Sequence, residues 1–156
     1  MLAAIRADDV NLPLFLHVLG AMVMVGALVT AAYFLIAARR DGSLDSLRVG
    51  YKTLLYAALP AYLAMRVGAE WIYAKENLDD LPSDPDWIGI GYGVSDVGLL
   101  LLIISTVVAG LAVRRARQAE GGEATAGSSP AIAGWLTSLL VVAYVVAVWA
   151  MSTKPG

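Results

Sequence analysis

Apolar residues run along this chain in four long stretches, at about 12–38, 53–73, 88–113 and 131–151, with most charges gathered between them. A helix needs roughly 20 apolar residues to cross the hydrocarbon of a bilayer, and each stretch qualifies. Short links between such stretches favour antiparallel neighbours. The pattern predicts an all-α membrane protein: an antiparallel up-down bundle of four transmembrane helices forming one domain over residues 1–156. The first stretch is too long for the apolar part of a secretion signal. Its positive flank, Arg39 and Arg40, follows it rather than precedes it, so it is expected to stay in the mature protein.

Charge between the stretches sets the orientation, because positive segments resist translocation. The first link carries Arg39, Arg40, Arg48 and Lys52, and the third carries Arg114, Arg115 and Arg117. The opposite side has Arg6, Lys75 and Lys154, together with an acidic connection at 76–86. Both termini are therefore expected outside, with the first and third links in the cytoplasm. Trp71, Trp87 and Trp149 then fall near the outer interface and Trp135 near the inner one, the belt positions of amphipathic rings. The stretch 120–130, rich in Gly, Ser, Ala and Thr, is expected to be a flexible loop. Small residues four apart (Ala57 and Ala61, Ala64 and Gly68, Gly89 and Gly93, Ala143 and Ala147) mark expected packing faces.

Composition narrows the chemistry. Hydrophobic residues make up 59% and charged residues 15%, far from a soluble domain. The absence of cysteine excludes disulfides, thiolate metal sites and covalent haem attachment. A net charge of −2 gives no reason to expect a nucleic-acid partner. No phosphate loop, zinc-protease motif or nucleophile elbow occurs.

Four ionisable residues interrupt the apolar stretches: His17, Arg66, Glu70 and Asp96. Charge at membrane depth is costly and marks candidate sites. At the helical rise, His17 lies roughly 8 Å inside its span, Glu70 about 5 Å, Arg66 about 10 Å and Asp96 about 12 Å. All four fall in the outer half of a hydrocarbon layer about 30 Å thick. Tyr62, Arg66, Glu70 and Tyr73 share one helical stripe, so Arg66 and Glu70 can pair directly. His17, Gly20, Ala21, Met24 and Ala31 share a face of the first span, and Tyr92 precedes Asp96 by one turn. Turned inward, these faces would gather around one outward-opening pocket. The bland alternatives are a structural Arg66–Glu70 pair, a solvated Asp96 on a bent glycine-rich entry, and a His17 that pins two helices through Glu70 or Asp96.

Met22 and Met24 point about 200° apart on a helix and cannot share an ion. Met24 shares the face of His17 but lies roughly 10 Å along the axis, too far for a common metal. Met65 and Met151 fall in the outer half, as metal partners of His17 or as ordinary apolar packing. Gly89, Gly91 and Gly93 are read as a bend or a close helix approach rather than a phosphate cradle.

Residues 16–26 (LHVLGAMVMVG) resemble the first-helix signature of small bacterial integral membrane proteins of unknown function. That group is related to copper-resistance protein D and the membrane protoporphyrinogen oxidase. Residues 65–73 (MRVGAEWIY) and 94–98 (VSDVG) look like its actinobacterial-type members. The resemblance implies a four-helix bundle in the bacterial plasma membrane, with His17 in the position tied to haem b in the oxidase relatives. Met24 stands where tryptophan is usual, the third span lacks the relatives' lysine, and the chain has one histidine where copper-resistance relatives carry more.

The expected function is therefore a binding or accessory membrane protein holding a small ligand, haem b or a metal ion, at His17. Arg66, Glu70, Asp96 and Tyr62 complete the expected site. Glu70 and Asp96 would orient the imidazole, and Arg66 would neutralise a carboxylate or a haem propionate. The alternatives are a haem-dependent oxidoreductase of porphyrin or quinol, a structural subunit, and an ion transporter. Transport has little to use in the cytoplasmic half, where Tyr33, Tyr56, Ser105, Thr106 and Tyr144 are the polar residues expected. The bilayer, a small-molecule ligand and further copies of the chain are the expected partners.

Overall fold

The structure, a computed structural model, describes residues 8–77, 86–119 and 128–153. The middle of the acidic connection, the loop at 120–127, Arg6 and Lys154 lie outside the described residues. The chain is helical throughout what is described: α1 (Asp8–Asp41), α2 (Leu44–Thr53), a π-helical turn (Leu54–Ala58), α3 (Leu59–Lys75), α4 (Asp86–Ala119) and α5 (Ser129–Thr153).

Local chemistry sets these boundaries. Gly42 takes a φ of 64°, the left-handed value that ends a helix cheaply only at glycine, and so closes α1. The Ser43 hydroxyl then accepts from the Ser46 N–H at 3.2 Å and caps α2. From 44 to 75 the backbone does not leave the helical region: Leu54, Ala58 and Leu59 all keep right-handed helical angles. Pro60 explains the π turn. It has no N–H for the Tyr56 carbonyl and its ring crowds that oxygen, so the turn before it widens. The Leu59 N–H accordingly reaches back to Leu54.

Glycines record how the helices lie. Gly20 sits against the backbone of Ala61 and Met65, while Gly68 sits against Pro13 and His17, so α1 and α3 run antiparallel in close contact. Gly50 meets Leu35 and Ala31, Gly110 meets Tyr51, and Gly134 meets Ile36. Gly98 meets Tyr144 and Gly91 meets Met151, which sets α4 antiparallel to α5. Helix α4 touches the 44–75 rod mainly through α2 and scarcely through α3. The two therefore part at the end where α3 finishes and α4 begins, and a cavity opens there.

Small and large residues are distributed as lipid demands. The buried centre is rich in alanine (Ala27, Ala31, Ala58, Ala109, Ala112 and Ala133), whereas Phe15, Val29, Leu100, Val107, Leu139 and Val142 face outward. A water-soluble domain would not leave so continuous an apolar surface uncovered. Small buried residues and large exposed ones are the packing expected where surrounding chains are as apolar as leucine. Helices α1, α4 and α5 are each long and apolar enough to cross a membrane. The expected second span falls on a shorter helix: α3 has 17 residues, and the π turn separates it from α2.

Two smaller expectations are corrected. The Gly89 and Gly93 pair is not a packing face, since a methyl at either would touch nothing within 4 Å. Gly91 makes the close approach instead, against Met151. The three glycines lie within a continuous helix, because α4 is helical from Asp86.

A polar cluster beside a histidine-lined cavity

The close contact of α1 with α3 places His17. With Gly20 and Gly68 removing side-chain bulk, the imidazole reaches across, and its Nδ1 donates to the Met65 carbonyl oxygen at 3.0 Å. A carbonyl only accepts, and its second lone pair is available beside the helical bond. The ring nitrogen that faces it must therefore carry the hydrogen. In the neutral ring Nε2 then holds a lone pair, the form that ligates metals or accepts a proton.

Arg66 organises the carboxylates. Its Nε lies 3.0 Å from Glu70 Oε1, and its Nη1 lies 3.2 Å from Asp96 Oδ1 across the gap to α4. Its guanidinium also stands 4.5 Å over the Tyr92 ring, which meets Tyr73 edge-on at 5.9 Å between centroids. Glu70 takes a further hydrogen bond from Tyr92. One guanidinium thus serves two carboxylates, and the cluster keeps a net negative charge. Glu70 and Asp96 are half or more exposed, at 50% and 64%.

This geometry corrects the expected division of roles. Glu70 and Asp96 bond Arg66, whereas the Met65 backbone orients His17. Two of the Arg66 nitrogens, Nε and Nη1, are already engaged by these acids. Tyr62 is buried away from His17. Its hydroxyl pairs with Ser95, 3.2 Å from the side-chain oxygen and 3.3 Å from the carbonyl, and ties α3 to α4.

His17 lines a cavity of about 70 Å³ between α1, α3, α4 and α5, with Arg66, Tyr92, Ser95, Tyr144 and the thioethers of Met24, Met65 and Met151 around it. Met24 is 1% exposed and Met22 68%, so the two do face apart. Tyr144 is the residue the sequence misplaced. It stands level with Gly98 and lines the cavity, because α5 has climbed about 20 Å from residue 131 by that point. Its hydroxyl is buried and has no hydrogen-bond partner. Above the cavity, a vestibule of about 160 Å³ continues from His17 past Tyr92 to Tyr73, Trp87 and Glu76.

The cavity has room for a few water-sized groups. It falls far short of the roughly 300–1,000 Å³ that encloses drug-sized ligands, so a porphyrin does not fit inside it, whereas a wider groove of about 740 Å³ between α1 and α5 also borders His17. A single ion does fit the donor types: one imidazole nitrogen and thioether sulfurs are soft ligands. Among the described residues no three of His, Cys, Asp and Glu gather as a metal site. At the other end of the helices Tyr33 and Tyr56 face outward. Thr106 and Thr137 each bond a carbonyl of their own helix at 2.7 Å.

No known protein family, curated protein or solved structure matches this chain.

Proposed function

We propose that this is a four-span protein of the bacterial plasma membrane, termini outside, that binds one small ligand at His17 in a pocket opening outward. The 44–75 rod is the fourth span, and the lysine and arginine bias of the links gives the direction. One observation carries the binding reading. His17, whose Nε2 holds the lone pair in the neutral ring, and Tyr144, whose buried hydroxyl has no partner among the described residues, line the same small cavity. A buried hydroxyl left without a partner costs stability unless something else fills the role. The ligand is therefore small and offers a partner to both groups.

A single soft metal ion is the form of ligand we favour. His17 would hold it through Nε2, with Met65 and Met151 offering the neighbouring sulfurs, and Tyr144 would bond a water or anion beside it. The oxidoreductase alternative needs a macrocycle, which would have to sit in the wider α1–α5 groove beside His17 rather than in this cavity. An accessory role within a larger assembly is compatible with the same site.

Metal titration of the purified chain in nanodiscs tests this, with copper(I) and zinc(II) followed by calorimetry and elemental analysis. One equivalent bound by the native chain and lost in His17→Ala is the expected result. Equal binding in His17→Ala would overturn it. An absorption spectrum with and without dithionite checks the choice of a metal ion over haem: a histidine-dependent Soret band would overturn that choice.

A further inference from the structure

The vestibule above His17 has a chemistry of its own. Its walls include three aromatic rings from two helices: Tyr73 on α3, and Trp87 and Tyr92 on α4. Tyr73 and Tyr92 stand at 78° to one another, so two ring systems form a corner and Trp87 adds a third wall. Glu76 lines the same space, and Glu70 lines an adjoining opening with Tyr73 and Tyr92. Ile72, Ile88 and Leu14 supply the rest as apolar surface.

Such a space suits a cation that gives up little on leaving water. Aromatic faces attract positive charge through the ring quadrupole, and quaternary ammonium groups are recognised by cages of this kind. A bare metal ion or primary ammonium would forfeit strong hydration against apolar walls, while a methylated ammonium would not. Tyr92 already demonstrates the interaction, since Arg66 stacks over it at 4.5 Å. Arg66 lines the inner cavity and not the vestibule. Glu76 on this mouth and Glu70 on the adjoining opening place carboxylates beside the rings, where they attract a cation.

We infer that the vestibule formed by Tyr73, Trp87, Tyr92 and Glu76 is a binding site for a small methylated ammonium cation. The volume of about 160 Å³ accepts a trimethylammonium group and little more. The group can come from a soluble ammonium compound or from the headgroup of a choline lipid at the interface. The site lies outside the inner cavity, with His17 on the border between the two.

Calorimetric titration of choline into the full chain, held in phosphatidylglycerol nanodiscs, tests the inference beside choline's uncharged carbon isostere. The expected result is saturable binding of choline at one site and at least tenfold weaker binding of the isostere. Trp87→Leu should weaken choline at least tenfold, and Glu76→Gln severalfold, with the salt dependence flattened. Met24→Leu, at a residue that lines the inner cavity and not the vestibule, should leave choline binding in place, which separates this site from the inner cavity. No choline binding, equal binding of the isostere, or unchanged binding in both Trp87→Leu and Glu76→Gln would overturn it. If Trp87→Leu does not fold by circular dichroism, the isostere and Glu76→Gln decide. Repeating the titration in phosphatidylcholine nanodiscs identifies the source. Competition there points to the lipid headgroup, and undiminished binding to a soluble cation.

Discussion

Gly68 lies directly against the backbone of His17: a methyl group at Gly68 would stand 2.6 Å from the His17 nitrogen and 2.8 Å from the Pro13 oxygen. Both obstacles are main chain, so neither can rotate away. That absence of a side chain lets α1 approach α3 until the imidazole meets Met65.

Gly68→Ala should therefore push α1 from α3, break the His17–Met65 bond and cost about 1–3 kcal/mol, as overpacking of a tight contact does. Gly93→Ala is the control, since a methyl there meets nothing. It should be neutral or gain up to about 1 kcal/mol from helix propensity. Denaturant titration of both in detergent reads the difference. Equal stability of the two variants would show that the helices do not touch at Gly68.

The Arg66 cluster separates a wet site from a dry one. Exposed ion pairs are worth roughly 0.2–1 kcal/mol, and the exposure of Asp96 places the pair in that range. A double-mutant cycle of Arg66→Met and Asp96→Asn should return a coupling of about that size. A coupling well above about 2 kcal/mol would mean that the pair sits in hydrocarbon rather than under water.

Tyr144→Phe should leave the ligand-free protein as stable as before or somewhat more stable. The change removes an unpartnered buried hydroxyl, a group that costs about 1–3 kcal/mol when unsatisfied. The same variant should lose affinity for whatever His17 holds. Thermal melting with and without metal measures both effects, and a large loss of stability without ligand contradicts the assignment.

Topology is accessible because the chain has no cysteine. Asp45→Cys and Glu76→Cys mark the two ends of the 44–75 rod. In intact cells an impermeant maleimide should label Glu76→Cys at once and Asp45→Cys only after lysis. Labelling of both from outside would mean that the rod does not cross.

Much of the site was legible from spacing. Arg66 and Glu70 pair across one turn because four residues return a helix to the same side. The inward face of His17, Gly20, Met24 and Ala31 followed from the same period, and all but the half-buried His17 are buried. The Met65 carbonyl and Ser95 escaped, because a backbone oxygen carries no residue signal and a serine in an apolar run is unremarkable. Tyr144 was assigned to the inner half, although counting about 20 Å up the fourth span from residue 131 already carries it past the middle of the layer.

By itself the sequence determined the four apolar helices but not α2, which falls in an expected link, together with the apolar surfaces of three of them and which charges share a stripe, since these follow from local hydropathy and a repeat of 3.6 residues per turn. Only the tertiary structure decided the partners: Arg66 with Asp96, His17 with Met65, and Tyr144 with the cavity. Those contacts join residues 30 to 127 positions apart along the chain. They depend on how closely α1 and α3 pack at Gly20 and Gly68 and where α3 and α4 diverge, quantities that no local pattern encodes.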